Sequence, residues 1–390
     1  MSKKEEEVRD MLNMELYFGN ISEKRQAAKI RHSLIEIIAI TIIAVIGDCD
    51  GWKEIEDFCT EYEEWFRKEL GLVLEYGIPS SDTFARIWRR IDAKEFKKSF
   101  MQWAGSIRKK TSGEVISLDG KTVCGSGSEE EKPIHVVSAW VHDQGIVLGQ
   151  ITVPEKTNEI TAVPELIKML DISGCIITAD AMSCQKKIVA SIIKKQADYV
   201  IGLKGNQGEL LEYAELYFSE AKKTPQFYKE IAVMESHDIG HGRIEYRTYQ
   251  LSCDLSGYEH VKEWKGLKAI GVVYSRIVDI KTGKTTEYAR YFITSLVEIA
   301  AFAKAVREHW GIEASLHHVL DVSFQEDDCT IHKDNGPDNL AVIRHFAINI
   351  LASLDVGKNN VSARRKRKMC GRSPRLLLDA FSRLIYPNPS

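Results

Sequence analysis

EVISLD (Glu114–Asp119), HVVSAWV (His135–Val141), GIVLGQITV (Gly145–Val153) and CIITAD (Cys175–Asp180) are the runs whose reading decides the fold. Each is short, rich in β-branched residues and bounded by turn formers, which is the pattern of a strand. His142, Asp143 and Gln144 before Gly145 join the second run to the third closely enough for an antiparallel meander. Helical periodicity follows over Glu159–Leu170 and again over Gln185–Lys195, and Tyr199–Leu203 reads as a fifth strand. Three antiparallel strands, helix, strand, helix, strand is the order of a ribonuclease-H-like α/β fold.

Two of these strands end in aspartate, at Asp119 and Asp180. In such sheets ligands sit beyond strand ends, where side chains of different strands converge. Each has an ordinary alternative: Asp119 before Gly120 is a turn signal, and Asp180 is a helix cap. A third acid is Glu313. Ser295 followed by Glu298 forms a capping box, so a helix is expected to start there and run towards Leu320, with Gly311 the point at which it would split. At about 100° per residue, Phe302, Val306, His309, Trp310, Leu316, His317 and Leu320 fall on the face of Glu313, which puts its carboxylate on the inward stripe. A buried carboxylate needs a compensating charge. A metal would supply it, and so would His309 or His317.

Outward from this region, residues 1–105 read as a small helical domain. LIEIIAITIIAVIG (Leu34–Gly47) is a buried helix: it contains Glu36 and is shorter than the ~20 residues of a membrane span. Trp52–Leu70 is an amphipathic helix, and Ser81 or Asp82 caps another that carries Phe84, Ile87, Trp88 and Ile91 inward and Arg86, Arg89 and Arg90 outward. That arginine face suits DNA, and suits ordinary solvation better. Residues 106–355 hold the ribonuclease-H-like domain, interrupted at about 205–295 by a β-rich insertion in which Arg243, Glu245 and Arg247 share one strand face. DNLAVIRHFAINILASL (Asp338–Leu354) is a well-capped buried helix, and residues 356–390 form a basic tail with Arg364, Arg365, Lys366, Arg367 and Lys368 in a row. Such a run is a disordered terminus or an arm for backbone phosphates.

The formal net charge of -3 over 390 residues excludes a global basic excess, so any nucleic-acid binding is local. The eight cysteines form no CxxC pair and read as reduced thiols of a cytosolic protein.

SLDGKTV (Ser117–Val123), TADAM (Thr178–Met182), LKGNQ (Leu203–Gln207), GHGRIEYR (Gly240–Arg247) and HWGIEASLHHVLDVSFQED (His309–Asp327), in this order, resemble the H-repeat-associated family of bacterial insertion-sequence transposases, a DDE branch. The resemblance covers nearly the whole chain. Val306 and His309 stand where better-known cousins carry Tyr and Arg. It implies Asp119, Asp180 and Glu313 as the acidic triad, holding two Mg²⁺ ions with Mn²⁺ able to substitute. Asp119 would bridge both ions, and Asp180 and Glu313 would each complete one shell. Such a site cleaves phosphodiesters and then uses the freed 3′-hydroxyl on target DNA. Lys121 and Lys204, just beyond strand ends, are candidates for holding phosphate, with Arg243, Arg247 and the basic tail as further DNA contacts. The implied partners are double-stranded DNA, as element ends and target, and further copies of the chain assembled on it. The implied location is the bacterial cytoplasm, at the nucleoid when DNA is bound, with no membrane. A metal-dependent nuclease without strand transfer, and a catalytically silent DNA-binding remnant, are the alternatives.

Overall fold

The computed structural model describes residues 13–128, 132–153, 159–224, 230–240 and 242–386. The chain divides into two compact units: residues 1–109, 120–156 and 313–390 form the first, and residues 110–119 and 157–312 the second.

In the first unit, α1 (Leu34–Ile46) is the expected buried helix, capped by Ser33, whose side chain accepts from the Glu36 amide. The segment expected as one amphipathic helix is two, α2 (Trp52–Glu61) and α3 (Glu63–Glu69), parted at Tyr62, whose hydroxyl donates to the Gly371 carbonyl. α4 (Ser81–Arg90) starts after Ser80, one residue earlier than the expected caps, and buries Phe84, Ile87 and Trp88. The Trp88 indole N–H, in the core, donates to Thr41 Oγ1 at 3.1 Å. α5 (Ala93–Ile107) is capped by Asp92. The hairpin β2 (His135–Val141) and β3 (Ile146–Val153) is antiparallel, as expected. It is followed much later in the chain by α10 (His318–Phe324), α11 (Gly336–Ser353), α12 (Ala363–Cys370) and α13 (Pro374–Ile385). Phe346 of α11 packs against Phe18, Phe96, Phe100 and Trp103, and Asn349 exchanges two hydrogen bonds with the backbone of Val147, tying α11 to β3. α11 opens with Pro337 after Asn335, without a side-chain cap; Asp338 instead accepts from Lys97 and Thr152.

The C-terminal segment is not a tail. The Arg367 guanidinium is fully buried and donates to the carbonyls of Val45, Cys49 and Ser323 and to the Asp50 carboxylate, while Lys366 donates to the carbonyls of Leu351 and Leu354. These two positions hold the fold together and are withdrawn as DNA contacts. Arg364, Arg365 and Lys368 stay exposed.

The second unit is a sheet with the strand order β1-β4-β5-β9-β8-β7-β6. β1 (Val115–Thr122) enters it through its first half, parallel to β4 (Ile176–Ala179), which is parallel to β5 (Asp198–Leu203). The helices α6 (Glu159–Met169) and α7 (Lys186–Lys194) connect them where expected. β9 (Thr285–Thr294) then pairs antiparallel with β5, and β8 (Ala269–Asp279), β7 (Arg243–Ser252) and β6 (Ala232–Gly240) continue outward. The β-rich insertion therefore lengthens the main sheet. It also contains a helix that the sequence pattern did not single out, α8 (Gly208–Lys223). The strand expected from His241 begins at Arg243; His241 lies outside the described residues.

α9 (Ile299–His309) lies on this sheet, with Phe302 so close to Gly271 that a Cβ there would come within 2.4 Å of the ring. The Ser295 capping box does not form. Ser295 Oγ instead accepts from the Tyr199 amide and donates to Asp198, and the helix begins four residues later. Among the described residues no helix is long and apolar enough to cross a membrane, and all eight cysteines are free thiols.

Candidate catalytic centre

In the second unit the register decides where the two aspartates sit. β1 and β4 are paired up to Leu118 opposite Ala179, so Asp119 and Asp180 are the next residue on each of two adjacent parallel strands. β1 continues as strand through Gly120, so Asp119 is not a turn residue. Both carboxylates are half-buried. Beneath them, Thr178 Oγ1 donates to Ser117 Oγ at 3.0 Å and lies 3.0 Å from His309 Nδ1 of α9. Burial, and then the Arg290 charge, pushes His309 down to about 4, so its imidazole is neutral.

Asp180 does cap a turn, accepting on Oδ1 from the amides of Met182 and Ser183. That turn is braced from the next strand: Asn206 donates to the Ala181 carbonyl at 2.7 Å and Gln207 to the Cys184 carbonyl at 2.8 Å. The side-chain amides of LKGNQ thus fix the loop that carries Asp180, a positioning role the sequence reading missed. Lys204, beside them, is exposed just past β5, as expected.

Glu313, in the first unit, opens a π-helical turn, Glu313–His317. Its side chain is exposed, which corrects the inward position expected from a uniform helix. The wide turn breaks the 100° progression on which that expectation stood. Leu316, His317 and Leu320 are buried as expected, whereas Trp310 is 43% exposed. A carboxylate oxygen of Glu313 and a ring nitrogen of His317 lie within 4.8 Å of each other. Burial, then the charges of Lys121 and His135, pushes His317 down to about 4.

Lys121 is not available for phosphate in this structure. Its ammonium meets Asp321 at 2.6 Å and Glu326 and Asp327 at 3.0 Å each. Burial opposes the charge, but these three carboxylates hold its pKa above the usual lysine value. Asp327 also accepts from the Cys124 amide, and Arg344 lies 3.5 Å from Glu326. Arg247 is likewise held internally, by Asp238 and by Glu245 at 2.5 Å, and Arg307 reaches the same Asp238 at 3.2 Å. Arg243 remains exposed on the shared strand face.

A parallel core sheet extended by antiparallel strands, with aspartates just past the last paired residues of two adjacent strands, defines an α/β protein of the ribonuclease-H-like class. The family described as "Transposase DDE domain" matches residues 110–350, and the family described as "DDE_Tnp_1-associated" matches residues 16–104. The chain belongs to the DDE transposase family. It is 40% identical over 364 residues to "Putative transposase YncI" of Escherichia coli O157:H7, covering 90% of each chain. It is 38% identical over 360 residues to "H repeat-associated putative transposase YhhI" of Escherichia coli (strain K12), covering 90% of this chain and 94% of that one. It is therefore an enzyme of the transposase kind, and the expected family stands.

Proposed function

We propose that the chain binds the ends of a mobile DNA element and cleaves and rejoins phosphodiesters with Asp119, Asp180 and Glu313 as its metal-holding carboxylates. The observation that carries this reading is the pairing of Leu118 with Ala179, which brings Asp119 and Asp180 to neighbouring positions one residue past the last pair of two parallel strands. The donor set fits the group it would hold: hard carboxylate oxygens suit Mg²⁺ or Mn²⁺ without a histidine or cysteine cage. Bound divalent ions supply Lewis acidity at the attacking and leaving oxygens. The chain's own part is rigidity. β1 fixes Asp119, the turn braced by Asn206 and Gln207 fixes Asp180, and in this reading exposed Lys204 takes a backbone phosphate. In the first step water adds at phosphorus and the P–O3′ bond breaks, freeing a 3′-hydroxyl. In the second that hydroxyl attacks a target phosphodiester, so one P–O bond replaces another and no external energy source is needed.

Asp180→Asn tests the assignment sharply, because Asn caps a turn about as well as Asp while removing the charge. Asp119→Asn and Glu313→Gln complete the set. Each variant is expected to melt like the parent and to lose Mg²⁺-dependent nicking of a duplex bearing the element's ends by orders of magnitude. Full nicking by Asp180→Asn or Glu313→Gln would refute the triad. Joined products, as against nicks alone, separate a transposase from a nuclease.

A further inference from the structure

The family match gives residues 16–104 no chemistry, yet they contain the most one-sided charge distribution among the described cavities. A groove of about 590 Å³ lies between the segment Lys24–His32 and α4. Lys24, Arg25, Lys29, Arg31, Arg86 and Arg90 line it, and no carboxylate does. Two of these cations are neutralised by acids outside the lining, Lys24 by Asp92 at 2.9 Å and Arg25 by Glu23 at 2.5 Å. Lys29, Arg31, Arg86 and Arg90 are exposed and have no ion-pair partner among the described residues. The charge of the lining reaches a neighbour. His32, in the lining, is held below the usual histidine range by burial first and then by the charges of Arg25 and Arg31.

We infer that this groove seats the phosphate backbone of duplex DNA. Unpaired cations of one sign facing a common cavity repel each other, an arrangement that polyanion binding relieves. Arg86 and Arg90 stand one helical turn apart on α4, about 6 Å along the axis, on the wall opposite Lys29 and Arg31. The lining contains no Phe, Tyr or Trp, the side chains on which unstacked bases of a single strand stack best, which favours a duplex. Contacts from lysine and arginine to backbone phosphates position a duplex and carry no sequence information. The solvated arginine face expected from the sequence is thus half of a groove whose other wall comes from a segment some sixty residues earlier. The inference rests on the reading that the chain acts on DNA, but it concerns binding without metal and is separable from cleavage.

The experiment is fluorescence anisotropy of a labelled random-sequence duplex with the full chain in EDTA, over a range of salt. The variants are the double Arg86→Gln/Arg90→Gln and, as a control, Lys281→Gln/Lys284→Gln at the exposed turn between β8 and β9. Two lost phosphate contacts should lower the slope of log affinity against log salt by about 1.8, equivalent to about a 60-fold weaker binding at about 0.1 M salt, whatever the sequence. The groove variant should melt like the parent, since among the described residues its side chains make one hydrogen bond only, Arg86 to Thr83. The control should keep the parent's slope. An unchanged slope and affinity in the groove variant, or an equal loss in the control, overturns the inference and leaves the triad reading standing. A parent that binds no duplex overturns both. A groove variant that loses binding while the triad variants still nick DNA fully would keep the groove and reject the triad.

Discussion

Arg367→Met removes a charge while keeping most of the aliphatic stem, and so isolates what the guanidinium contributes. The group is fully buried, donates to Asp50 Oδ1 at 2.8 Å and to the carbonyls of Val45 at 3.0 Å, Cys49 at 3.2 Å and Ser323, and lies over the Phe324 ring at 4.2 Å. Removing one partner of a buried ion pair costs about 3–5 kcal/mol, because the other charge stays behind uncompensated. Three carbonyls lose a donor as well, so this range is a floor unless water enters. For a cooperative unit of this size each kcal/mol lowers Tm by about 2–4 °C, which gives a fall of about 6–20 °C. Thermal and urea melts followed by tryptophan fluorescence measure it, with Arg364→Gln/Arg365→Gln as the exposed counterpart, expected within about 2 °C of the parent, as surface substitutions usually are. An Arg367→Met protein that melts like the parent yet binds DNA less well would refute the structural assignment and restore Arg367 to a DNA-binding role.

Gly125→Ala should lower stability by about 1–3 kcal/mol in urea melts, since a Cβ would lie 2.6 Å from the carbonyl oxygens of Asp327 and Cys329, which are backbone and cannot swing aside. Lys121→Gln leaves Asp321, Glu326 and Asp327 clustered, with Glu326 alone retaining a cation among the described residues, Arg344; a loss of about 3 kcal/mol is expected, and a variant as stable as the parent would show that the cluster is solvated. Burial pushes His345 down to about 3 and His309 to about 4 from an ordinary 6.5, so below about 6.5 the unfolded chain takes up protons that the folded chain refuses. Stability should therefore be fully present above pH ~6.5 and fall on acidification towards pH ~4, by up to about 1.4 kcal/mol per pH unit for each histidine. Denaturant melts across that range check the sign, and His345→Leu should flatten the dependence.

Where local pattern suffices, the sequence was a reliable guide. β-Branched runs with turn signals between them placed β2 to β5 within a residue and the start of β1 within one, and the apolar run Leu34–Ile46 could only be a buried helix. Asp180 at the end of β4 was legible for the same reason, and so was the position of Asp119 beside it, although β1 itself runs on to Thr122. The expectations that failed each depended on a partner far away in the chain. Ser295 looked like a cap until the Tyr199 amide and Asp198 engaged its hydroxyl. Glu313 looked inward on a uniform helix, whereas a π-helical turn points it to solvent. Lys121, Arg247, Lys366 and Arg367 all read as free cations, because a row of residue letters does not show which carboxylate or carbonyl will meet them. Sequence by itself determined where the core strands and helices follow one another along the chain and which acids exist. Only the tertiary structure decided which charges are neutralised internally and which face solvent, because an ion pair is fixed by distance in space while periodicity records only distance along the chain.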